Sequence, residues 1–332
     1  MEKVLILLAS FNGETFIREQ LDSIIAQTYS DWELIIQDDG STDNTVNIVK
    51  EYTKQDSRIC LCHNDSNNHG PFANFHILAN RFKGDYQYDY YMFSDQDDIW
   101  DANKMEKMIR SIKRKVSSET PALVYADMRL IDSTGKTYER SIDEAWKISG
   151  KNAYSYFFSH KVFGCNLMMN ASLFHIVPIL NEDSHMISKL SHDNLYAKYA
   201  ATFGKIWFLH DQTMGYRRHG ENQTTSQNYH IDVKRIIDRI FKLKRLAEKH
   251  SVAYGASLYT IDKIKIDNDM LLTDKQVRFL DEIENIINRG SFYSLRGIMR
   301  HRVKWGGLIE NISHTLIIIL GMHKDFLSEW VE

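Results

Sequence analysis

Apolar and polar residues alternate in blocks along the first hundred residues. Short, largely apolar runs, which are typical of strands buried on both faces, occur at residues 4–9, 33–37, 58–62 and 90–93. Each run precedes a segment in which apolar residues recur at helical spacing, and these segments cover residues 17–25, 46–52, 72–82 and 105–112. Repeated strand–helix units of this length predict an α/β protein with a mostly parallel central sheet covered by helices.

The pattern changes twice after this region. Residues 121–228 are less regular, and they predict strands at 122–131, 163–169 and 205–209 and helices at 171–180 and 192–203. From Tyr229 onward the pattern is helical, with one apolar face that includes Ile236, Ile237, Ile240, Leu243 and Leu246. We therefore expect a first domain at residues 1–228 and a helical C-terminal region at residues 229–332.

A polar cluster follows each of the first four predicted strands. In parallel sheets, ligands bind at the carboxyl ends of the strands, where loops meet the N-termini of helices. The clusters are Ser10-Phe11-Asn12-Gly13, Asp38-Asp39-Gly40-Ser41-Thr42-Asp43, residues 64–70 and Ser94-Asp95-Gln96-Asp97-Asp98. Four such clusters in succession favour a ligand site at this edge of the sheet.

The run Asp95-Gln96-Asp97-Asp98 is the most informative cluster. Carboxylates this close repel one another, and burying them costs free energy unless a cation compensates. An Asp-x-Asp pair suits Mg²⁺ or Mn²⁺, which prefer oxygen ligands and bridge the phosphate oxygens of a nucleotide. Helix capping is the alternative, with Asp98 or Asp101 at the start of a helix near residue 102. Both interpretations stay open at this point.

The other polar motifs also have structural alternatives. Ser41 or Asp43 can cap the next helix, which leaves one preceding aspartate to bind a nucleobase or a ribose hydroxyl. His192-Asp193 stands at the start of a predicted helix and is also explained by capping. A lone histidine such as His219 is commonly structural, and Arg217-Arg218 either adds positive charge to a site or lies in water.

Composition excludes several classes of protein. The 332 residues are 43% hydrophobic and 26% charged, which excludes a disordered or coiled-coil chain, and a net charge of −3 does not predict nucleic-acid binding. Three cysteines provide no disulfide framework or zinc site, which fits a reducing cytoplasm. The apolar runs at 4–9 and 315–320 are too short for a signal peptide core and a membrane span. We therefore expect a cytoplasmic protein that does not cross a membrane.

The charge is distributed unevenly along the chain. Residues 230–332 contain 17 Lys and Arg against 14 Asp and Glu, a net of +3, which leaves −6 for residues 1–229. No acidic residue lies between Glu284 and Glu310, a segment with five basic residues among aromatic and aliphatic ones. This mixture suits the surface of an anionic membrane, and we consider peripheral contact through residues 289–320. The alternative is a helix with its apolar face on the protein and its basic face in water.

Several motifs together resemble family 2 glycosyltransferases of the GT-A fold. The resemblance covers about residues 3–225 and rests on Ser10-Phe11-Asn12, Ile25-Ala26-Gln27-Thr28-Tyr29, residues 38–43 and residues 95–98. The stretch Ser94-Asp95-Gln96-Asp97-Asp98-Ile99-Trp100 is similar to bacterial rhamnosyltransferases that build cell-surface polysaccharide. The resemblance implies a Rossmann-like GT-A domain with a mostly parallel sheet, to which the helical C-terminal region is an extension.

The resemblance also implies roles for single residues. It makes Asp193 the catalytic base, although the usual Glu-Asp pair is His192-Asp193 here. It places a divalent metal, Mg²⁺ or Mn²⁺, at Asp97 and His219, and it places Asp39 at the nucleobase. The residues that it implies in nucleotide-sugar binding are Ser10, Phe11, Asn12, Glu14, Asp38, Asp39, Gly70, Asn74, Asp95 and Gln96.

The implied activity is inverting transfer of L-rhamnose from dTDP-β-L-rhamnose to a hydroxyl of a lipid-linked saccharide. A Gln-x-x-Arg-Trp motif, which processive synthases of this family carry, is missing from the sequence, so we expect addition of a single sugar. UDP-galactose, UDP-glucose or a UDP-N-acetylhexosamine remains open as the donor, and so does assembly into a homo-oligomer. Two further alternatives are a non-catalytic nucleotide-sugar-binding scaffold and a nucleotidyltransferase. The latter is disfavoured because Ser10-Phe11-Asn12-Gly13-Glu14 is not a Gly-rich basic signature.

Overall fold

A computed structural model describes residues 2–219, 243–327 and 330 of the chain. The strands are β1 (Val4–Ser10), β2 (Trp32–Asp38), β3 (Ile59–His63), β4 (Tyr90–Ser94), β5 (Ile99–Trp100), β6 (Ala122–Ile131), β7 (Thr137–Glu139), β8 (Leu167–Asn170) and β9 (Lys205–Arg217). The helices are α1 (Ile17–Ile25), α2 (Thr45–Gln55), α3 (Pro71–Asn80), α4 (Lys104–Lys115), α5 (Ile142–Trp146), α6 (Ala171–Ile176), α7 (His192–Phe203), α8 (Leu243–Asp267), α9 (Asp274–Arg289), α10 (Ser291–Arg300) and α11 (Leu308–Ile319).

Four parallel strands from the N-terminal hundred residues form one half of the sheet, in the order β3-β2-β1-β4. The register aligns the strand ends, with Ser10 of β1 opposite Asp38 of β2. The central strand β1 is apolar from Val4 to Ala9 because both of its faces are covered, and its residues from Val4 to Leu8 are fully buried. The predicted strand–helix alternation is therefore confirmed, and it brings the polar strand ends to one edge.

The other half of the sheet is mixed. Strand β8 runs antiparallel to both β4 and β6, whereas the long strand β9 runs parallel to β6 and also pairs with the short strand β5. The short strand β7 pairs with β6. The α/β class and the mostly parallel sheet are confirmed, with the antiparallel strands confined to the second half. The C-terminal part of β9 reaches the edge where the first four strands end.

The described residues form two compact units. The first contains those of Met1–Asp143, Val162–Ala200 and Gly204–Thr224, and the second contains those of Glu144–Lys161, Ala201–Phe203 and Thr225–Glu332. The expected boundary at 228/229 lies outside the described residues and stays a prediction. The C-terminal helical region is present in helices α8 to α11, and in the described residues no helix combines the length and the apolar character that a bilayer span needs.

Three predicted elements differ from the structure. The helix expected at 171–180 ends at Ile176, because Pro178 disfavours a helical backbone at the preceding residue. The strand expected at 163–169 begins only at Leu167, since Gly164–Asn166 forms a 3-10 turn. The strand expected at 205–209 continues to Arg217. By contrast, the helix expected at 192–203 has the predicted bounds.

Asp101 does not cap helix α4. The N-cap residue is Asn103, which makes no side-chain capping hydrogen bond, and the Asp101 carboxylate instead accepts a hydrogen bond from Arg129 Nη1 at 2.8 Å. The capping alternative for this part of the acidic cluster is therefore wrong. Arg129 lies on strand β6, far from Asp101 in sequence, so the local spacing around Asp101 could not indicate this partner.

We predict that Gly204→Ala destabilises the first unit. Strands β6 and β9 begin side by side at this point, with Lys205 N donating to Pro121 O at 2.9 Å. A Cβ atom at position 204 would lie 1.8 Å from the same oxygen, so the backbone has to shift. We expect the free energy of unfolding to fall by about 1–3 kcal/mol, measured by urea denaturation. The control is Gly84→Ala, where a Cβ atom meets no neighbour within 4 Å, and an equal loss there would contradict the steric explanation.

Candidate active site

The loops after β1 and β2 are bound to each other by side-chain hydrogen bonds. Asp38 is 2% exposed and accepts hydrogen bonds from Ser10 Oγ at 3.2 Å, from Ser41 N at 2.8 Å and from Gly40 N at 3.1 Å. Asn12, whose φ of +46° places it in the left-handed region, accepts from the amide of Thr42 at 2.8 Å. All of these contacts fix the loops, and the predicted role of Asp38 in nucleotide-sugar binding stays a prediction.

Glu14 and Asn74, which are also predicted to bind the donor, form hydrogen bonds to other parts of the protein. Glu14 accepts a hydrogen bond from Asn44 N at 2.8 Å at the start of helix α2. Asn74 is 2% exposed on helix α3, and its amide exchanges hydrogen bonds with Gln37, including a 2.7 Å bond from Gln37 Nε2 to Asn74 Oδ1. The predicted roles of Glu14 and Asn74 in donor binding stay predictions, since these contacts show only how the two side chains are anchored.

Asp39 connects the end of β2 to the start of α3. One carboxylate oxygen accepts from Asn64 Nδ2 at 2.6 Å and lies 3.0 Å from His69 Nδ1, and the other accepts from the amide of Gly70 at 2.7 Å. Gly70 has a φ of +100°, which a side chain rarely tolerates, so glycine is required to turn its amide toward Asp39. His69 is half exposed beside this buried carboxylate and is a contact residue that sequence reasoning missed.

Gln96 supports the exposed ring of Phe11. Its side-chain amide forms two hydrogen bonds with the Phe11 backbone, at 2.9 Å to the amide and 2.8 Å to the carbonyl oxygen. The Phe11 side chain is 52% exposed, which is unusual for a residue fixed so firmly. This clamp joins the loop after β1 to the acidic loop after β4, and it leaves the aromatic ring available to a ligand.

Arg217 is the buried cation of the acidic loop. Its guanidinium donates to the carbonyl oxygen of Asp97 at 2.7 Å and to the carboxylate of Glu19 at 2.8 Å, and its amide donates to Asp98 Oδ1 at 2.9 Å. The residue is 0% exposed, so the alternative in which this arginine lies in water is wrong. Burial of a guanidinium is tolerated here because oxygen atoms from several loops surround it.

Asp97 and His219 are brought together although 122 positions separate them. His219 Nε2 lies 2.8 Å from Asp97 Oδ2, and the two side chains are each 15% exposed. The histidine comes two residues after the end of β9, and its ring packs on Phe16 with centroids 4.8 Å apart. A carboxylate and an imidazole in this arrangement are suitable ligands for Mg²⁺ or Mn²⁺.

A second group of carboxylates lies beside this pair. Ligand atoms of Asp95, Asp98 and Cys165 lie within 4.8 Å of one another. Burial, followed by repulsion from the carboxylates of Asp97 and Asp193, raises the pKa of Asp95 to about 7. Burial and the same kind of repulsion raise the pKa of Asp98 well above its usual range, and its Oδ2 atom has no hydrogen-bond partner among the described residues. A cation close to this group would relieve the repulsion.

Lys104 lies below the acidic loop and was missed by sequence reasoning. It is 0% exposed, and its Nζ donates to the carbonyl oxygen of Cys165 at 2.6 Å while lying 4.0 Å from the Trp100 ring. Burial lowers the pKa of Lys104 to about 8. The available signal was its helical spacing, because Lys104 shares the buried stripe of Met108 and Ile112 on helix α4.

Asp193 is oriented by the backbone at the start of helix α7. One oxygen accepts from the amide of Gly164 at 3.0 Å, and the other accepts from the amide of Asn194 at 2.6 Å. Ser191 Oγ also donates to this carboxylate. Burial raises the pKa of Asp193 above its usual range, although these hydrogen bonds oppose the shift. The 3-10 turn at Gly164–Asn166 therefore has a function in the site that its sequence did not indicate.

The fold of this chain is similar to that of solved structures. Residues 1–349 of S. aureus TarS, crystallised with UDP-GlcNAc, have a TM-score of 0.52 and 13% sequence identity, with 98% of this chain and 91% of that chain covered. At this identity the similarity shows the fold alone. It is a GT-A-like fold, as the strand-end motifs predicted.

The chain belongs to glycosyl transferase family 2, whose model matches residues 5–177. It is 31% identical over 225 residues to the dTDP-rhamnosyl transferase RfbG of Shigella flexneri. The aligned region covers 65% of this chain and 73% of RfbG. It is also 26% identical over 326 residues to the uncharacterized glycosyltransferase RP339 of Rickettsia prowazekii (strain Madrid E), covering 96% and 92% of the two chains. The family predicted from the motifs is confirmed, and its members typically use a divalent metal.

The donor set of this chain fits such a metal. Asp97 and His219 supply oxygen and nitrogen ligands in contact with each other, and the buried Asp98 Oδ2 atom has no hydrogen-bond partner among the described residues. The thiol of Cys165 is a soft ligand, which hard cations such as Mg²⁺ do not favour. We therefore assign the metal-binding potential of the site to its carboxylates and its histidine.

His192 is a buried histidine next to the candidate base. It is 6% exposed, its ring lies 4.1 Å from that of Phe75 between centroids, and neither ring nitrogen has a hydrogen-bond partner among the described residues. Burial lowers the pKa of His192 to about 3. The structure thus holds this ring in its neutral form, as an apolar packing element and not as a charged group.

We predict that His192→Leu makes the protein less sensitive to acid. Between pH 6.5 and about 3 the unfolded chain binds a proton at this position that the folded chain excludes. The free energy of unfolding therefore falls by about 1.4 kcal/mol for each unit by which the pH is lowered. The variant lacks this contribution, so between pH 6 and 4 its free energy of unfolding should fall by about 1.4 kcal/mol less per pH unit. Urea denaturation across pH measures the difference, with pH 8 as the reference. Parallel profiles of the two proteins would contradict burial of a neutral histidine.

Proposed function

We propose that this glycosyltransferase transfers L-rhamnose from dTDP-β-L-rhamnose to a hydroxyl of a lipid-linked saccharide, with inversion at the anomeric carbon. The observation that carries the proposal is the proximity of Asp193 to the acidic loop. The amide of Gly164 donates to the Asp193 carboxylate, and the thiol of the next residue, Cys165, lies within 4.8 Å of ligand atoms of Asp95 and Asp98. A base in electrostatic contact with a donor-binding carboxylate is the arrangement that direct displacement at a sugar carbon needs.

Asp193 acts as the general base in this proposal. It removes the proton of the acceptor hydroxyl, whose oxygen attacks the anomeric carbon from the side opposite the nucleoside diphosphate. The amides of Gly164 and Asn194 orient the carboxylate, and its raised pKa makes it a stronger base than an exposed aspartate. After transfer, the protonated Asp193 carboxyl releases this proton to water, which regenerates the carboxylate.

Asp97 and His219 would hold the divalent metal, with Asp95 directed at the ribose or the sugar. When bound, such a metal neutralises the negative charge that grows on the departing nucleoside diphosphate. Arg217 does not touch the donor in this proposal; it fixes the Asp97 backbone from below. Phe11, held by Gln96, and Asp39 with Gly70 form the nucleotide end of the site.

The choice of donor rests on similarity to the dTDP-rhamnosyl transferase RfbG at 31% identity. The other parts of the proposal follow the motif resemblance: addition of one sugar, an acceptor on a lipid carrier, and a location on the cytoplasmic face of a membrane. A UDP-sugar donor is the competing assignment within the same class. A non-catalytic scaffold is the competing assignment of another class, and the intact set of Asp95, Asp97, Asp193 and His219 argues against it.

We predict that Asp193→Asn abolishes transfer and keeps donor binding. The amide cannot accept the acceptor proton, and loss of a general base lowers kcat by about 10²–10⁴-fold. Turnover is measured by release of nucleoside diphosphate, and donor binding by the shift in Tm. The matched control is Asp183→Asn, an exposed aspartate that precedes helix α7, which should retain full turnover. Normal turnover in Asp193→Asn would eliminate this residue as the base.

A donor panel tests the proposed sugar. We expect dTDP-β-L-rhamnose with Mn²⁺ to raise the Tm of the protein and to be hydrolysed slowly without acceptor, and EDTA to remove the hydrolysis. UDP-glucose, UDP-galactose, UDP-N-acetylglucosamine and GDP-mannose complete the panel. Stabilisation by a UDP-sugar with no effect of dTDP-rhamnose would replace the donor assignment. Binding of a donor without any hydrolysis or transfer would favour the scaffold.

A further inference from the structure

Helix α10 has its bulky apolar residues on the outside. Its buried residues are Ser294, Gly297 and Ile298, so the inner face is mostly small. A Cβ atom at Gly297 would lie 2.5 Å from the side chain of Ile286, which shows how closely α10 packs on α9. The bulky residues Phe292 and Met299 are 76% and 69% exposed. Tight packing of the inner face thus excludes large side chains and turns them outward.

Helix α11 also exposes apolar residues. Leu308 and Ile312 are 76% and 52% exposed and lie one helical turn apart on the same side. The buried side contains Ser313, His314, Ile317 and Ile318, and the His314 ring is hydrogen-bonded to the Tyr254 hydroxyl at 2.7 Å. Exposed apolar residues grouped in this way have a free-energy cost in water that an apolar medium covering them would remove.

Helices α10 and α11 pack against each other. A Cβ atom at Gly290, just before α10, would lie 3.6 Å from the carbonyl oxygens of Ile318 and Ile319. We call the exposed residues of α10 and α11 the outer surface. The alternative in which only the basic face lies in water does not describe α10, because Phe292 and Met299 are also exposed there.

The outer surface is also basic. Arg296 and Arg300 fall on the exposed side of α10 together with Phe292 and Met299, within about one third of the helix circumference. Residues 285–309 contain five basic and no acidic residues, and the next carboxylate, Glu310, is paired with Lys161 at 2.8 Å. Positive charge and bulky apolar groups therefore share the exposed side of α10, and α11, which contains no Lys or Arg, adds exposed apolar residues.

We propose that the outer surface binds a bilayer of anionic lipid, with the arginines at the phosphate groups and the apolar side chains in the upper acyl region. Charge complementarity selects this occupant. A symmetric dimer through the same surface would bring Arg296 and Arg300 of two copies against each other. A nucleic acid would match the charge and leave the aliphatic side chains exposed. The inference deepens the proposed function, since a lipid-linked acceptor lies at such a bilayer.

The test is cosedimentation of the full chain with lipid vesicles. We expect binding to vesicles of phosphatidylglycerol and phosphatidylcholine, weaker binding at high salt, and little binding to phosphatidylcholine alone. Each basic residue near an anionic surface contributes about fivefold to binding, so Arg296→Gln with Arg300→Gln should weaken the partition constant by about tenfold or more. Phe292→Ser with Met299→Ser should weaken it by a similar factor.

The chain offers a matched control in the same unit. Ile266, Met270 and Leu271 are 73%, 94% and 58% exposed, and exposed aspartates flank them at positions 267, 269 and 274. The triple change of these residues to Ser removes at least as much exposed apolar surface, and we expect it to leave vesicle binding unchanged. All of the changes are at exposed positions, and equal Tm values confirm that the variants fold.

Four results would overturn the proposal: equal binding to both kinds of vesicle, no vesicle binding, no effect of the arginine changes, or an equal loss in the control. Sedimentation velocity and a nucleic-acid binding assay on the same proteins identify a second copy or a nucleic acid as the occupant instead. Vesicle binding does not require sugar transfer, and Tm shifts with donor do not require the outer surface. Failure of this inference and failure of the proposed function are therefore observed separately.

Discussion

The buried guanidinium of Arg217 holds the site together. It joins the end of β9 to the acidic loop after β4 through the carbonyl oxygen of Asp97, and to helix α1 through Glu19. It also donates to the carbonyl oxygens of Asp132 and Ser133 beyond β6. A guanidinium removed from water is stable only if such acceptors are present, so the loops and the cation require one another. His219 reaches Asp97 because Arg217, two residues earlier, is anchored in this way.

The same principle, a charged group fixed by backbone atoms, recurs at Asp193. The amide of Gly164 occupies one of its oxygens, and Lys104 holds the carbonyl oxygen of Cys165, the next residue of that turn. The 3-10 turn is therefore a short link between the helix under the acidic loop and the candidate base. A side chain at position 164 would collide with His192, which explains why the turn contains glycine. His192 itself stays neutral because it is buried.

Local sequence predicted the first half of the molecule well and the second half less well. The four strand–helix units could be predicted because each has its own apolar periodicity. Parallel pairing then places Ser10 opposite Asp38 and Ser94, the residue before Asp95, opposite Leu8, so these strand ends lie at one edge. The burial of Arg217 could not be predicted, because its partners come from three distant segments and leave no mark on its neighbours in sequence. The inversion of α10 escaped prediction for a different reason: small residues such as Gly297 are not apolar in the pattern, yet they occupy the interface.

The separation of Arg217 and Asp97 by 120 positions has a consequence for synthesis of the chain. At about 5–20 residues per second, the acidic loop leaves the ribosome roughly 6–24 seconds before the arginine that stabilises it. During that interval the first four strands can pair, but their carboxylates have only water and dissolved cations as partners. We therefore expect the acidic loop to reach its buried state only after β9 has been synthesised, which makes this edge the last part of the sheet to be completed.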